Sequence, residues 1–197
     1  MTARTTNPRI VPLLIERWSP RSFDGQALPQ ADIDVILEAA SLAPSAFNYQ
    51  PWRFLYAVNG DANWERFLSL LVPFNAGWAK EAGALFFVLS DTVMVKGDDA
   101  SPNHSHSFDA GAAWALMALQ ATALGYHAHG MTGIEFDRIR GELGVPEGFR
   151  IEAAVAIGRK DSPDKLPEPL REREGPSGRK SVAAVAAAGD FAALPSA

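Results

Sequence analysis

Ala43-Pro44-Ser45-Ala46-Phe47-Asn48-Tyr49-Gln50-Pro51-Trp52 reads as a rigid corner between a helix and a strand. Pro44 and Pro51 fix their own φ and push the residue before each of them out of the helical region. Asn48 and Gln50 offer amide donors and acceptors, and Trp52 anchors the corner by burial. Upstream, Pro29 opens a helix in which Ile33, Ile36, Leu37 and Ala40 recur at three- and four-residue spacing, with Asp32 in the first turn. Pro44 ends that helix. Downstream, Phe54 to Val58 is an apolar strand stopped by the turn dipeptide Asn59-Gly60.

The rest of the chain continues this mixture of short helices and strands. Ile10 to Arg17 reads as a short helix, followed by the turn Ser19-Pro20-Arg21-Ser22-Phe23. Trp64 to Leu71 and Asn75 to Glu81 read as helices, and Ala84 to Leu89 as a strand buried on both faces, being apolar without alternation. Gly97 to Ser107 is polar and predicts a mobile loop or lid. Phe108 to Leu124 predicts a long central helix with Phe108, Ala112, Ala115, Leu116 and Leu119 on one side, and Gly125 as its C′ residue. His127 to Met131 and the β-branched Ile151 to Ile157 predict strands, with a helix from Phe136 to Leu143 between them. Beyond Gly158, four prolines frame the charge run Arg171-Glu172-Arg173-Glu174, and an alanine-rich helix is expected over Ser181 to Ala188. A structureless link of this length is uncommon inside a compact domain. Residues 1–160 therefore read as a core and 161–197 as an arm that wraps a partner subunit, the alternative being a disordered tail.

Composition narrows the function classes. The 197 residues are 47% apolar with no cysteine, so disulfides, thiol nucleophiles and Cys-ligated metals are excluded. A net charge of −5 with no basic block argues against nucleic-acid and membrane-surface partners. No stretch approaches the roughly 20 apolar residues of a membrane span. The cytoplasm is the expected compartment.

No G-x-G-x-x-G or G-x-S-x-G motif is present, and Gly175 to Ser181 fails as a phosphate loop because its glycine spacing is too short. The pairs His104/His106 and His127/His129 lack an acidic residue at ligand spacing, so no metal site is expected. Two readings remain: a binding or scaffolding protein, or a protein whose chemistry is carried by a bound cofactor that it positions. Four segments favour the second. They are Arg17-Trp18-Ser19-Pro20-Arg21, whose guanidinium groups suit phosphate and anionic ring edges; the Ala43–Trp52 corner; Gly130-Met131-Thr132-Gly133, where glycine permits close approach of a flat ligand; and Arg179-Lys180.

These segments, in this order, resemble the FMN-dependent nitroreductase family. The resemblance rests on A-P-S-x-x-N-x-Q-P-W at Ala43 to Trp52, R-x-S-x-R-x-F at Arg17, Ser19, Arg21 and Phe23, the small-residue segment Asp109 to Ala113 with Ala123-Leu124-Gly125, and Ala154 to Gly158. It implies an α+β, nitroreductase-like α/β/α layered fold with a mixed, mainly antiparallel sheet and a C-terminal arm exchanged with the partner subunit of a homodimer. It implies FMN as cofactor and NAD(P)H as electron donor. It also implies ping-pong, two-electron reduction of nitroaromatic, quinone-like or related planar, electron-poor acceptors.

By position, Arg17, Trp18 and Ser19 would meet the FMN phosphate and ribityl chain, and Arg179 the phosphate. Arg21 would meet the N1/O2 edge of the ring and Asn48 its pyrimidine edge, with Pro44 and Ser45 close by from the other subunit. Gly130, Met131, Thr132 and Gly133 would flank the ring near N5. Thr132 departs from the acidic residue or glycine often found at its position. Phe74, Trp78 and Phe108 are candidate lid residues over the acceptor. The alternatives are a flavin storage or sensor protein without turnover, and a specialised dehydrogenase or dehalogenase of the same fold.

Overall fold

The fold, a computed structural model, is described for residues 7–195; the ends of the expected core and arm, residues 1–6 and 196–197, lie outside the described residues. The elements run α1 (Pro12–Glu16), α2 (Gln30–Ser41), a 3₁₀ turn (Ala46–Asn48), β1 (Trp52–Val58), α3 (Trp64–Ser69), α4 (Pro73–Ala79), β2 (Ala84–Asp91), β3 (Val93–Lys96), β4 (Asp99–Pro102), α5 (His106–Ala123), β5 (His127–Met131), α6 (Phe136–Glu142), β6 (Phe149–Gly158) and α7 (Glu168–Arg171).

One sheet organises them, in the order β1-β2-β6-β5 with every pairing antiparallel. β2 lies inside this sheet and alternates between two apolar layers. Leu85, Phe87 and Leu89 join Trp64, Phe67, Trp78 and Ile139 beneath α3, α4 and α6. Ala84, Phe86 and Val88 join Ile33, Ile36, Ala113 and Met117 beneath α2 and α5. Burial on both faces explains why β2 shows no alternation in sequence. The architecture is α+β in three layers, helices on both faces of the sheet, as expected, and among the described residues the sheet is antiparallel throughout where a mixed one was expected.

Three further expectations need correction. The segment 97–107 holds the turn at Gly97, with φ 64°, and the second strand of a β3/β4 hairpin, and α5 already begins at His106. Its strands are mostly exposed on both sides, so no apolar alternation marks them. The second concerns α5, whose buried side carries Ala110, Ala113, Met117, Ala118 and Ala121. The side grouped by spacing is not the buried one: Phe108 and Ala115 are exposed, and Ala112, Leu116 and Leu119 are only partly buried. A helix that is apolar nearly all round gives its periodicity no single face to select. Third, the helix expected over Ser181 to Ala188 shrinks to a 3₁₀ turn at Val182–Ala184, because Val182 and Val185 are exposed and no packing stabilises so short a helix.

The chain beyond residue 160 first packs on its own core. Leu166 and Leu170 are buried in the layer beneath α3 and α4, Glu174 is buried, and residues from Ser177 onward are mostly exposed.

Candidate active site

The turn after α1 brings Arg17, Trp18, Ser19 and Arg21 against the end of β5. Three contacts set it there. The Pro20 carbonyl lies 2.8 Å from His129 Nδ1, Ser22 Oγ donates to the Ser162 carbonyl at 2.6 Å, and Phe23 is bridged to Lys160. Phe23 is fully buried against Gly158, where a Cβ would come within 2.8 Å of the ring. Rings complete the support: Trp18 meets His127 edge-on at 5.9 Å and Trp78 covers His129 at 4.7 Å.

Glu174 holds the turn from the other end of the chain. Its Oε1 accepts the backbone N–H of Arg21 at 2.7 Å and of Ser22 at 2.9 Å. Burial lowers the pKa of the Arg21 guanidinium, and the nearby Glu174 charge partly offsets this. Burial likewise lowers the pKa of His129, against the opposing Pro20 carbonyl. His127 is lowered by burial and by the charges of Lys160 and Arg17, and its Nδ1 has no hydrogen-bond partner. Both rings are therefore held neutral near pH 7.

Two adjoining cavities open beside this turn and share Arg17, Ser19, Arg21 and His129. One, of about 690 Å³, is polar, adding Trp18, Arg171, Arg173 and Arg179, whose cations outnumber the carboxylates of Glu172 and Glu174 there. The other, of about 710 Å³, runs along Gly130, Met131, Thr132 and Gly133 to Trp114, Ser107 and Glu152. A Cβ on Gly130 would lie 3.1 Å from the Trp114 ring, and one on Gly133 only 2.5 Å from Asn75 Nδ2. The glycines are thus required by the side chains already packed there, a different reason from the ligand approach expected. Met131 borders the cavity while its side chain belongs to the core layer beneath α3 and α4.

Pro44, Ser45 and Asn48 lie in neither cavity. Their corner is tied back by Ser45 Oγ accepting the Gln50 N–H at 3.0 Å and by Asp109 accepting the Ala46 N–H at 3.1 Å. Phe47, Asn48 and Gln50 all take positive φ, of 55°, 53° and 54°, which costs a non-glycine residue about 1 kcal/mol or more. Phe47 projects outward, 91% exposed. Of the candidate lid residues, Trp78 is in the core, while Phe74 and Phe108 are exposed and line neither cavity.

Sequence reasoning missed His129, Trp114, Asn75, Glu152 and Glu174 as parts of the site. His129 stood out only as half of a His-x-His pair tested for metal, the other four belong to no local motif, and Glu174 sits in a charge run of the kind usually left solvated. Among the described residues, no group of three His, Asp or Glu side chains is gathered to hold a metal ion. Ser90, His106 and Glu152 do assemble, but not as a hydrolytic triad. The carboxylate bonds the serine instead of orienting the histidine, and Ser90 is fully buried.

The fold is found in known proteins. A solved structure of an oxidoreductase containing FMN is 48% identical, with a TM-score of 0.93 over 95% of this chain and 96% of that one. NADH dehydrogenase of Thermus thermophilus is 30% identical over 173 residues, 73% of this chain and 83% of its own length. CLA biosynthesis enone reductase of Lactiplantibacillus plantarum is 24% identical over 189 residues, 78% of this chain and 86% of its own. The Nitroreductase family profile matches residues 14–159, and the chain belongs to that family.

Proposed function

We propose that the protein is an FMN-dependent NAD(P)H oxidoreductase that reduces planar, electron-poor acceptors such as nitroaromatics, quinones and related conjugated carbonyl compounds. One observation carries this reading: Arg17 and Arg21 are common to a cationic cavity and a glycine-bordered one, so a single ligand with an anionic end and a flat end fits both. FMN has that shape. Its phosphate suits Arg17, Ser19 and Arg179, with Trp18 alongside, and its ring suits the cavity bordered by Gly130, Met131, Thr132 and Gly133.

When bound, FMN supplies two-electron chemistry, taking hydride from NAD(P)H and giving it to an acceptor in ping-pong order. The chain's own contribution is electrostatic and steric. Arg21, partly buried and held by its backbone to Glu174, keeps a positive charge where the reduced ring is anionic, which favours reduction. The neutral His129 leaves that charge uncontested. Trp114 and Asn75 wall the cavity.

The reading includes a homodimer in the cytoplasm, with residues 1–160 as the core and 161–197 as an arm that crosses its own core through Leu166, Leu170 and Glu174 and reaches the second copy with its exposed end. Its support is the unpaired outer edge of β1, the outward-facing Phe47 and Phe108, and a tail exposed beyond Ser177. In a dimer the Pro44, Ser45 and Asn48 corner of one copy is available to close the cavity of the other. No helix among the described residues is long and apolar enough to cross a membrane.

The test is direct. The purified protein should be yellow, bleach anaerobically with NADH or NADPH, and recover colour on adding a quinone or nitroarene. A flavin that neither nucleotide reduces would sink this function.

A further inference from the structure

Ser90, His106 and Glu152 form a hydrogen-bonded chain that ends in the wall of the larger cavity. Ser90, fully buried on β2, has its hydroxyl 2.5 Å from Glu152 Oε1 and 2.7 Å from His106 Nδ1. A hydroxyl has one proton to give, and an ionised carboxylate can only accept. The Ser90 proton therefore goes to Glu152, and the Ser90 oxygen accepts from His106 Nδ1–H. The direction of the chain is imidazole to hydroxyl to carboxylate. Ser107 Oγ forms a parallel bridge, bonding Glu152 Oε1 at 2.7 Å and lying 3.2 Å from His106 Nδ1, and Arg150 Nε lies 3.3 Å from Oε2.

The ends of the chain differ in surroundings. The His106 side chain retains 18% of its exposure, enough to exchange protons with solvent. Glu152 lines the larger cavity and, with Thr132, is shared with a third cavity of about 490 Å³ bordered by Phe136 and Phe149. Glu152 is thus a lining residue common to two ligand-sized spaces.

We propose that Glu152 donates the proton that accompanies hydride transfer, resupplied by His106 through Ser90, and that the acceptors it serves are α,β-unsaturated carbonyl compounds. This rests on the flavin oxidoreductase reading. With FMN bound and reduced, its hydride would form the new C–H bond at the β-carbon, and the C=C π pair would move into an enolate. The proton starts on the His106 imidazolium and passes from Nδ1 to Ser90 while the Ser90 proton passes to Glu152. From the carboxyl group it goes to the α-carbon, leaving His106 neutral to take a proton from solvent. Protonation on carbon is slow without a positioned acid, whereas quinones and nitro groups are protonated on oxygen, which water does readily.

Few other charges face His106. From β6 it meets Glu152 at 3.5 Å with Arg150 behind it. On β2 the Asp91 carboxylate is turned to Tyr49 and the Val93 N–H. On its own helix Asp109 is occupied by Ser105 and the Ala46 N–H, and His104 in the preceding turn is exposed.

The experiment uses the FMN-loaded protein in stopped flow, with NAD(P)H reduction resolved from reoxidation by 2-cyclohexenone or by a quinone. The enone step should fall as pH rises with loss of one proton. His106→Gln should remove that pH limb and slow the enone step about tenfold or more relative to the quinone step. Ser90→Ala combined with Ser107→Ala, which removes both hydroxyls between His106 and Glu152, should act in the same direction. Equal losses with both acceptors, or a pH limb that survives in His106→Gln, would overturn the proposal while leaving flavin reduction intact. No flavin reduction with either nucleotide would overturn the underlying reading and this proposal together. Independently of turnover, imidazole ¹⁵N shifts of the FMN-free protein should place the neutral ring's proton on Nδ1, and a bare Nδ1 overturns the chain.

Discussion

Glu174 and Arg21 stand 153 positions apart in sequence, yet the Glu174 carboxylate accepts the Arg21 backbone N–H at 2.7 Å. The same oxygen takes the Ser22 N–H, so one buried side chain from beyond β6 anchors the cationic turn near the start of the chain. Because Arg17, Ser19 and Arg21 all hang from that turn, its rigidity governs how the charges meet a ligand.

Glu174→Ala leaves these backbone donors without their acceptor and should cost about 2 kcal/mol. Glu174→Gln, which keeps a carbonyl oxygen, should cost less. Thermal melting measures both, and flavin titration should show weaker binding in the same order. An unchanged Tm in Glu174→Ala would mean that water replaces the carboxylate at no cost.

Arg21→Ala should slow flavin reduction by NAD(P)H more than it weakens FMN binding, since the charge at the ring edge matters most when the ring is reduced. Anaerobic stopped flow and fluorescence titration give the two quantities. Equal losses in both would leave Arg21 as a binding residue only.

Gly133→Ala places a Cβ 2.5 Å from Asn75 Nδ2 and 3.0 Å from Val72 Cγ2. Asn75 Nδ2 donates to the Gly133 carbonyl at 3.0 Å, so the displaced amide loses its partner. The cost should be about 1–3 kcal/mol in urea unfolding. Gly130→Ala, facing the flat Trp114 ring at 3.1 Å, should cost less. A Gly133→Ala protein as stable as the parent would show that Asn75 has room to move.

Burial lowers the pKa of both His127 and His129 below that of a free imidazole. The unfolded chain then binds more protons than the folded one once pH drops below about 6.5, so stability present above that value is lost as pH falls toward the folded pKa. Urea melts between pH 8 and 5 should show this loss, and His127→Asn with His129→Asn should flatten it. An equally steep loss in the double variant would assign acid sensitivity to the carboxylates alone.

Truncation before Arg171 removes Glu174 and Arg179 together. The shortened protein should be monomeric in light scattering and should lose FMN. A yellow, intact dimer would refute the exchanged arm.

Legibility in sequence depended on how local the cause was. The strand Ala84 to Leu89 and the helix opened by Pro29 were readable, because an unbroken apolar run and a three-to-four spacing each answer to immediate neighbours. The face of α5 was not: with alanine around most of its circumference, only the positions of α2 and the sheet decide that Ala113 and Met117 go inward and Phe108 outward. The β3/β4 hairpin was hidden for a related reason, since strands exposed on both sides carry no alternation.

By itself the sequence determined the family, through the spacing of Arg17, Ser19 and Arg21 and the Pro44–Trp52 corner, and with the family an α+β fold in three layers. These are short-range patterns, in which proline, glycine and side-chain chemistry act within a few residues. Only the tertiary structure decided that Arg21 is held by Glu174, that His129 is neutral beneath Trp78, and that Ser90, His106 and Glu152 share one hydrogen-bonded chain. Those relations join residues from separate strands, helices and the tail. Burial and charge at each depend on which surfaces the sheet brings together, and no local spacing encodes that.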